Sequence, residues 1–334
     1  MNKNLTVAIP TFNRNELLKK NLTKLLPQLH ECQLLILDNH SDIPVISTIQ
    51  ELLFEYPHLE VRIIRNRDNI GGNPNIIRCF ELCETDWLWI LSDRYTPLDD
   101  AVEKITRTIR EYPDAFYFNF SCEVFPRSKS VLTIGLEEFV KELFAFNFGE
   151  FLRISDCVFR ASALRGHLAV GYLFSNTFAP HLAILLSALG NSGKCYLSNE
   201  VITRFMDFDD LKLFLHTNWS MGDYPNLLAL GELDLPEVPR QTLLNALRKE
   251  MRRYFRPIVS EMLQSSLKSE CYKLNYQKYC LFIHRYFFGT FDPLWWIPMT
   301  LGRIALRFPR LFTLFWRALK RFRKKLKSIP AHRA

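Results

Sequence analysis

Polar residues that could do chemistry fall in four clusters within the first hundred positions. They are Thr11-Phe12-Asn13-Arg14, Asp38-Asn39-His40-Ser41-Asp42, the run NRDNIGGNPN from Asn66 to Asn75, and Ser92-Asp93-Arg94-Tyr95. Together they offer carboxylates that accept hydrogen bonds, guanidinium groups that donate them, and amides that do both. Each Asp, Asn or Ser cluster taken singly has a structural explanation, because these residues cap helices that follow strands. The Asn66 to Asn75 run resists that explanation. Gly71 and Gly72 permit positive backbone dihedrals and close approach of a ligand. A turn alone accounts for the glycines but not for the four asparagines around them.

The elements that must position these clusters are legible around them. LTVAI (Leu5 to Ile9), QLLIL (Gln33 to Leu37), VRIIR (Val61 to Arg65), WLWIL (Trp87 to Leu91) and FYFNF (Phe116 to Phe120) are short apolar runs with polar, Pro or Gly boundaries, as buried strands are. From Glu16 to Leu29, residues Leu17, Leu18, Leu22, Leu25, Leu26 and Leu29 recur at helical spacing, and Asn13 with Glu16 resembles a capping arrangement. Strand, helix, strand in this order predicts an α/β fold, a mostly parallel sheet flanked by helices. Ligands of such sheets bind at the carboxyl ends of the strands, where the polar clusters would meet. Further on, ISDCVF (Ile154 to Phe159) and CYLSNEVITRF (Cys195 to Phe205) read as strands. FAPHLAILLSALG reads as a helix opening near Pro180 and closing at Gly190. From Pro236 to about Phe288 the pattern is helical, with Leu243, Leu244, Leu247, Met251, Tyr254 and Phe255 on one face.

At 334 residues, 48% hydrophobic and 23% charged, the chain has ordinary globular composition, which excludes a disordered or collagenous protein. No run of about 18 uncharged apolar residues supports a membrane span, and the first apolar run, stopped by Pro10, is too short for a signal-peptide core. Eight scattered cysteines lack zinc or CxxC spacing and read as reduced thiols; Cys79 and Cys83, four apart, read as buried small hydrophobes.

The motifs carry a resemblance. VAIPTFNR, then LLILDNHSD, then RNRDNIGGNPNIIRCFELCETDWLWILSDRYTPLDDAV are similar to the successive nucleotide-sugar-binding motifs of bacterial family 2 glycosyltransferases with the GT-A fold. The similarity is greatest to the branch that builds O-antigen and capsular polysaccharides. The resemblance covers residues 5–110 well and 150–205 loosely. It implies a hexosyltransferase-like enzyme taking a nucleoside diphosphate sugar. Thr11, Asn13 and Arg14 would form the nucleotide-binding loop, and Asp38, with Asn39 beside it, would accept a hydrogen bond from the base, favouring UDP or dTDP. Asn69, Gly72 and Asn75 would line the ribose and sugar.

The departures from the family matter more. The aspartate cluster that holds a divalent cation, Mn²⁺ or Mg²⁺, aligns with Asp93-Arg94-Tyr95, leaving Asp93 as the one metal ligand. A hard cation wants several oxygens, so the cation is in question, and Arg94 offers a positive charge for the leaving diphosphate instead. The aspartate expected as general base aligns with His181, whose neutral imidazole can take a proton; Asp156 is the alternative carboxylate.

The net charge of +8 sits at one end. Pro293 to Ala334 holds eleven of the 43 Lys and Arg residues and no acid, leaving 32 basic against 35 acidic residues before it. Leu311, Phe315, Leu319, Phe322 and Leu326 alternate there with Arg and Lys, a basic amphipathic pattern suited to an anionic membrane surface. No nucleic-acid motif accompanies the charge. The expected organisation is a catalytic domain over 1–215, a helical region over 216–290 and a membrane-contact tail over 291–334. The expected protein is a cytoplasmic enzyme, peripheral on the inner face of the membrane, that elongates a lipid-linked glycan with inversion. The competing expectation is a catalytically impaired protein of the same fold, acting as a scaffold or partner subunit.

Overall fold

The computed structural model describes residues 4–123, 126–145, 148–205 and 224–249, with the single positions 300, 307, 308 and 314. Apart from those four positions the 291–334 tail, and most of the helical region expected over 216–290, lie outside the described residues. The described residues of Met1–Leu211 and Ala229–Leu247 form one compact unit.

Its centre is an eight-stranded sheet. The strands are β1 (Leu5–Thr11), β2 (Cys32–Asp38), β3 (Glu60–Arg65), β4 (Trp87–Ile90), β6 (Ala115–Ser121), β7 (Val131–Ile134), β8 (Cys157–Arg160) and β9 (Lys194–Val201), in the order β3-β2-β1-β4-β8-β6-β9-β7. The first four run parallel, as do β6 and β9. β8 is inserted antiparallel between β4 and β6, and β7 closes the edge antiparallel to β9. A separate two-stranded ribbon pairs β5 (Tyr95–Pro97) with β10 (Thr203–Phe205).

The short apolar runs form strands because both faces of the sheet are covered. Val7, Ile9, Leu34, Ile36, Trp87 and Trp89 join one core with Leu18, Leu22 and Leu25 of α1 (Asn15–Leu25), Ile49 of α2 (Ile46–Phe54) and Ile105 and Ile109 of α4 (Ala101–Glu111). The alternate residues Ala8, Leu35, Leu37, Leu88 and Ile90 are equally buried on the side of α3 (Gly72–Leu82), which contacts β1, β2 and β4. α5 (Gly135–Ala145) and α8 (Pro180–Leu189) complete that layer, with the short α6 (Ala161–Leu164) and α7 (Leu168–Leu173) beside it. Phe80 meets Phe159 edge to face at 4.9 Å between centroids, Tyr117 meets Phe139 edge to face, and Tyr117 lies tilted against Phe159.

Several boundaries differ from the sequence expectation, each for a local reason. α1 ends at Leu25, and Pro27 turns Leu26–Gln28 into a 3₁₀ turn because proline lacks the amide a continuing helix needs. Asn13 is no cap: no side chain caps α1, and Asn13 instead takes a positive φ of 53°. Ile154–Asp156 is a 3₁₀ turn that feeds β8. The long run from Cys195 breaks at Ile202 into β9 and β10, which serve different sheets. The short edge strand β7 gave no period long enough to read.

Candidate active site

The carboxyl ends of β1, β2 and β4 lie side by side. Thr11 stands opposite Asp38 in register, the Asn39 amide donates to the Thr11 carbonyl at 2.9 Å, and the Leu91 amide to the Ala8 carbonyl at 2.9 Å. The loops that leave these strands enclose a cavity of about 360 Å³. Seven of the expected site residues line it, Thr11, Arg14, Asn39, Asn69, Gly72, Asn75 and Asp93. Phe12, Gly71, Ser92 and Ile154 complete much of its wall.

Asp93 anchors one side. Its Oδ1 accepts from Arg14 Nη1 at 2.7 Å, its Oδ2 from Thr11 Oγ1 at 3.0 Å, and its carbonyl from Asn21 Nδ2 at 2.9 Å. The Asp93 side chain is 4% exposed and that of Arg14 34%, so the pair presents its positive end to the cavity.

Asparagines build the other side. Asn39 Nδ2 donates to Asn69 Oδ1 at 2.8 Å, and its Oδ1 accepts from Asn66 Nδ2 at 2.8 Å and from the Ile70 amide at 3.1 Å. Asn66 Nδ2 also donates to Asn75 Oδ1 at 2.8 Å, and Asn75 reaches back to the Leu37 carbonyl at 3.2 Å. Asn66 thus ties the β2, β3 and α3 ends together, a role the sequence hid because it depends on partners nine and 27 positions away. Gly71 has φ of 89°, which only glycine adopts without strain. A Cβ on Gly72 would meet nothing within 4 Å among the described residues, and Gly72 lines the cavity, so the first turn of α3 opens onto it.

Five expected site residues lie elsewhere. Asn13 shapes the loop: its amide donates to Ser41 Oγ at 2.9 Å, and its side chain exchanges hydrogen bonds with Asp42. Asp38 is buried and fully occupied, accepting from the Ser41 amide at 2.8 Å, the Val45 amide at 3.3 Å and Arg65 Nη1 at 2.9 Å. It holds the β2 loop in shape and has no open side for a base. Arg94 is half-buried and off the cavity wall, its amide 3.5 Å from Ser92 Oγ. Among the described residues, the cationic side chain on that wall is Arg14.

His181 is sealed in the core. It is 1% exposed at the start of α8, which is buried on nearly every side. Its Nε2 donates to the Phe151 carbonyl at 2.9 Å, Nδ1 has no partner among the described residues, and the Phe159 ring packs edge-on at 6.1 Å. Burial lowers its pKa to about 4, against the smaller opposing effect of the Phe151 hydrogen bond. A base must meet its substrate, and this imidazole does not. The apolar run PHLAILLSAL, with no polar stripe, was the signal that the helix would be buried. Asp156 is equally enclosed, accepting from Thr203 Oγ1 at 2.6 Å and ion-paired with Arg153 at 2.9 Å. Burial raises its pKa to about 6, with Arg153 and the Thr203 hydroxyl opposing.

The residues present do not suit a divalent cation. Both Asp93 oxygens are engaged, the next two positions are Arg94 and Tyr95, and among the described residues no group of three His, Cys, Asp or Glu side chains converges. Cys79 and Cys83 are buried free thiols.

Comparison with known proteins bears on the family likeness and on the fold. Residues 6–165 match the family model Glycosyl transferase family 2. The fold is an α/β fold of the GT-A kind, similar to S. aureus TarS 1-349 solved in complex with UDP (TM-score 0.55, 11% identity, 91% of each chain covered). The same protein in complex with UDP-GlcNAc gives a TM-score of 0.54 at 10% identity, again over 91% of each chain. No curated protein matches the chain by sequence.

Proposed function

We propose that this protein is a glycosyltransferase that binds a nucleoside diphosphate sugar in the cavity at the ends of β1, β2 and β4. The observation that carries the reading is the cavity's own chemistry: a guanidinium exposed on one wall, asparagines and a glycine-opened helix start on the other, within the segment matching the family model. The acceptor hydroxyl oxygen attacks the anomeric carbon while the bond from that carbon to the donor's β-phosphate oxygen breaks. The bonding pair leaves on the diphosphate, the hydroxyl proton passes to a base, and configuration inverts. UDP is the first donor nucleotide to test, because the TarS structures bind UDP and UDP-GlcNAc. In this reading the acceptor is a lipid-linked glycan of the O-antigen or capsule kind, and the basic stretch 291–334 holds the catalytic unit against an anionic inner membrane face.

Incubating the purified protein with UDP-, dTDP- and GDP-sugars and lipid-linked acceptors tests the reading. Release of nucleoside diphosphate with transfer to the acceptor supports it, and failure of every donor to bind overturns it. A second reading, a nucleotide-binding scaffold without turnover, is favoured by the enclosure of both His181 and Asp156. Tight binding with no transfer to any acceptor would select it.

A further inference from the structure

We propose that Arg14, held by Asp93, is the diphosphate-binding cation of this site, and that a nucleoside diphosphate binds here without a divalent metal. The proposal rests on the reading of the cavity as a nucleotide site.

It follows from how the pair is mounted. Asp93 is buried and its two oxygens are taken by Arg14 and Thr11. A metal on Asp93 would either displace the guanidinium or sit against its positive charge. It would also find Arg94 and Tyr95 where further carboxylates would be needed. Arg14 has the complementary placement. One nitrogen, Nη1, is spent on the carboxylate at 2.7 Å, while the side chain remains one-third exposed on the cavity wall. A guanidinium carries five N–H donors in a planar fork, so an Arg anchored through one nitrogen keeps donors for two phosphate oxygens. Asp93 fixes the fork in advance, which lowers the entropy lost on binding. Gly72, at the start of α3, also lines the cavity and leaves open space there, so a diphosphate held by Arg14 would have room beside a helix start, whose amides favour anions.

Titration calorimetry of the full chain with UDP and GDP, in EDTA and then in Mn²⁺ or Mg²⁺, reads this directly. Affinities in EDTA within about threefold of those with metal are expected, and binding that requires metal would overturn the proposal. Arg14→Gln should weaken diphosphate binding at least tenfold in EDTA, with Arg14→Lys losing less because it keeps the charge but not the fork. An unchanged Arg14→Gln affinity would also overturn it. The wild-type comparison stands if a variant does not fold. If neither UDP nor GDP binds under any condition, the nucleotide-site reading itself fails, a result distinct from metal-dependent binding.

Discussion

Arg14 Nη1 lies 2.7 Å from Asp93 Oδ1 although 79 positions separate the two residues. The contact joins the loop after β1 to the loop after β4, so it sets the shape of the cavity as well as its charge. Asp93→Asn should therefore lower donor turnover more than tenfold while costing only about 1–2 kcal/mol of stability. Arg14 is partly solvated and a screened pair contributes modestly. Urea melts beside donor-turnover rates check this; a stability loss without a turnover loss would make the pair purely structural.

Asp38 has the opposite profile. Its carboxylate is buried beneath two backbone amides and Arg65, and removing one partner of such a cluster leaves the others unpaired in the interior. Arg65 is one-third exposed and screened like Arg14, so Asp38→Ala should cost about 2–3 kcal/mol, from the two backbone amides left without their acceptor, with nucleotide affinity following the loss of loop structure. A variant that melts normally yet binds no nucleotide would return Asp38 to direct contact with the base.

The two glycines separate conformation from access. Gly71→Ala should destabilise the protein by about 1–2 kcal/mol, since a Cβ at φ of 89° is strained. Gly72→Ala meets no atom of the described residues within 4 Å, so it should leave the melting temperature nearly unchanged while its methyl group narrows the cavity and weakens UDP binding. Thermal melts with and without UDP distinguish the two effects.

Much of this site could be read from the sequence because its residues sit directly after apolar strands, where the topology of a parallel sheet forces convergence. Thr11, Arg14, Asn39 and Asp93 reach the wall for that reason, and Asn69, Gly72 and Asn75 reach it from the loop and first turn of α3 that follow β3. What could not be read was which polar groups are consumed by each other. Asp38 and Asp93 look alike in sequence, yet one is closed under the β2 loop and the other holds a cation on the cavity wall. His181 does stand at the start of a helix, but α8 is buried among α3, α5, α6, α7 and β6, which keeps the imidazole out of the cavity, and that packing depends on elements far apart in the sequence. The antiparallel insertion of β8 was similarly invisible, because strand direction depends on connections and not on the local apolar run.

The enclosed His181 and Asp156 make opposite demands on pH. His181 has its pKa lowered from 6.5 to about 4, so the unfolded chain binds its proton first as pH falls. The stability it contributes is full above pH 6.5 and is lost between 6.5 and 4, about 3 kcal/mol at most. Asp156 has its pKa raised from 3.8 to about 6, so the folded chain holds its proton more tightly. Its contribution is full below pH 3.8 and is lost as pH rises from 3.8 to 6, by a similar amount of about 3 kcal/mol. Between pH 4 and 6 the two slopes oppose, and these two groups together should leave wild-type stability nearly flat there. Each variant should expose the other group. His181→Gln should become more stable relative to its own value at pH 7 as pH is lowered from 6 to 4, and Asp156→Asn should become less stable from pH 6.5 to 4. Urea midpoints at four pH values for the three proteins test the signs. Parallel profiles would mean that neither group is as enclosed as the contacts with Phe151, Phe159, Arg153 and Thr203 require.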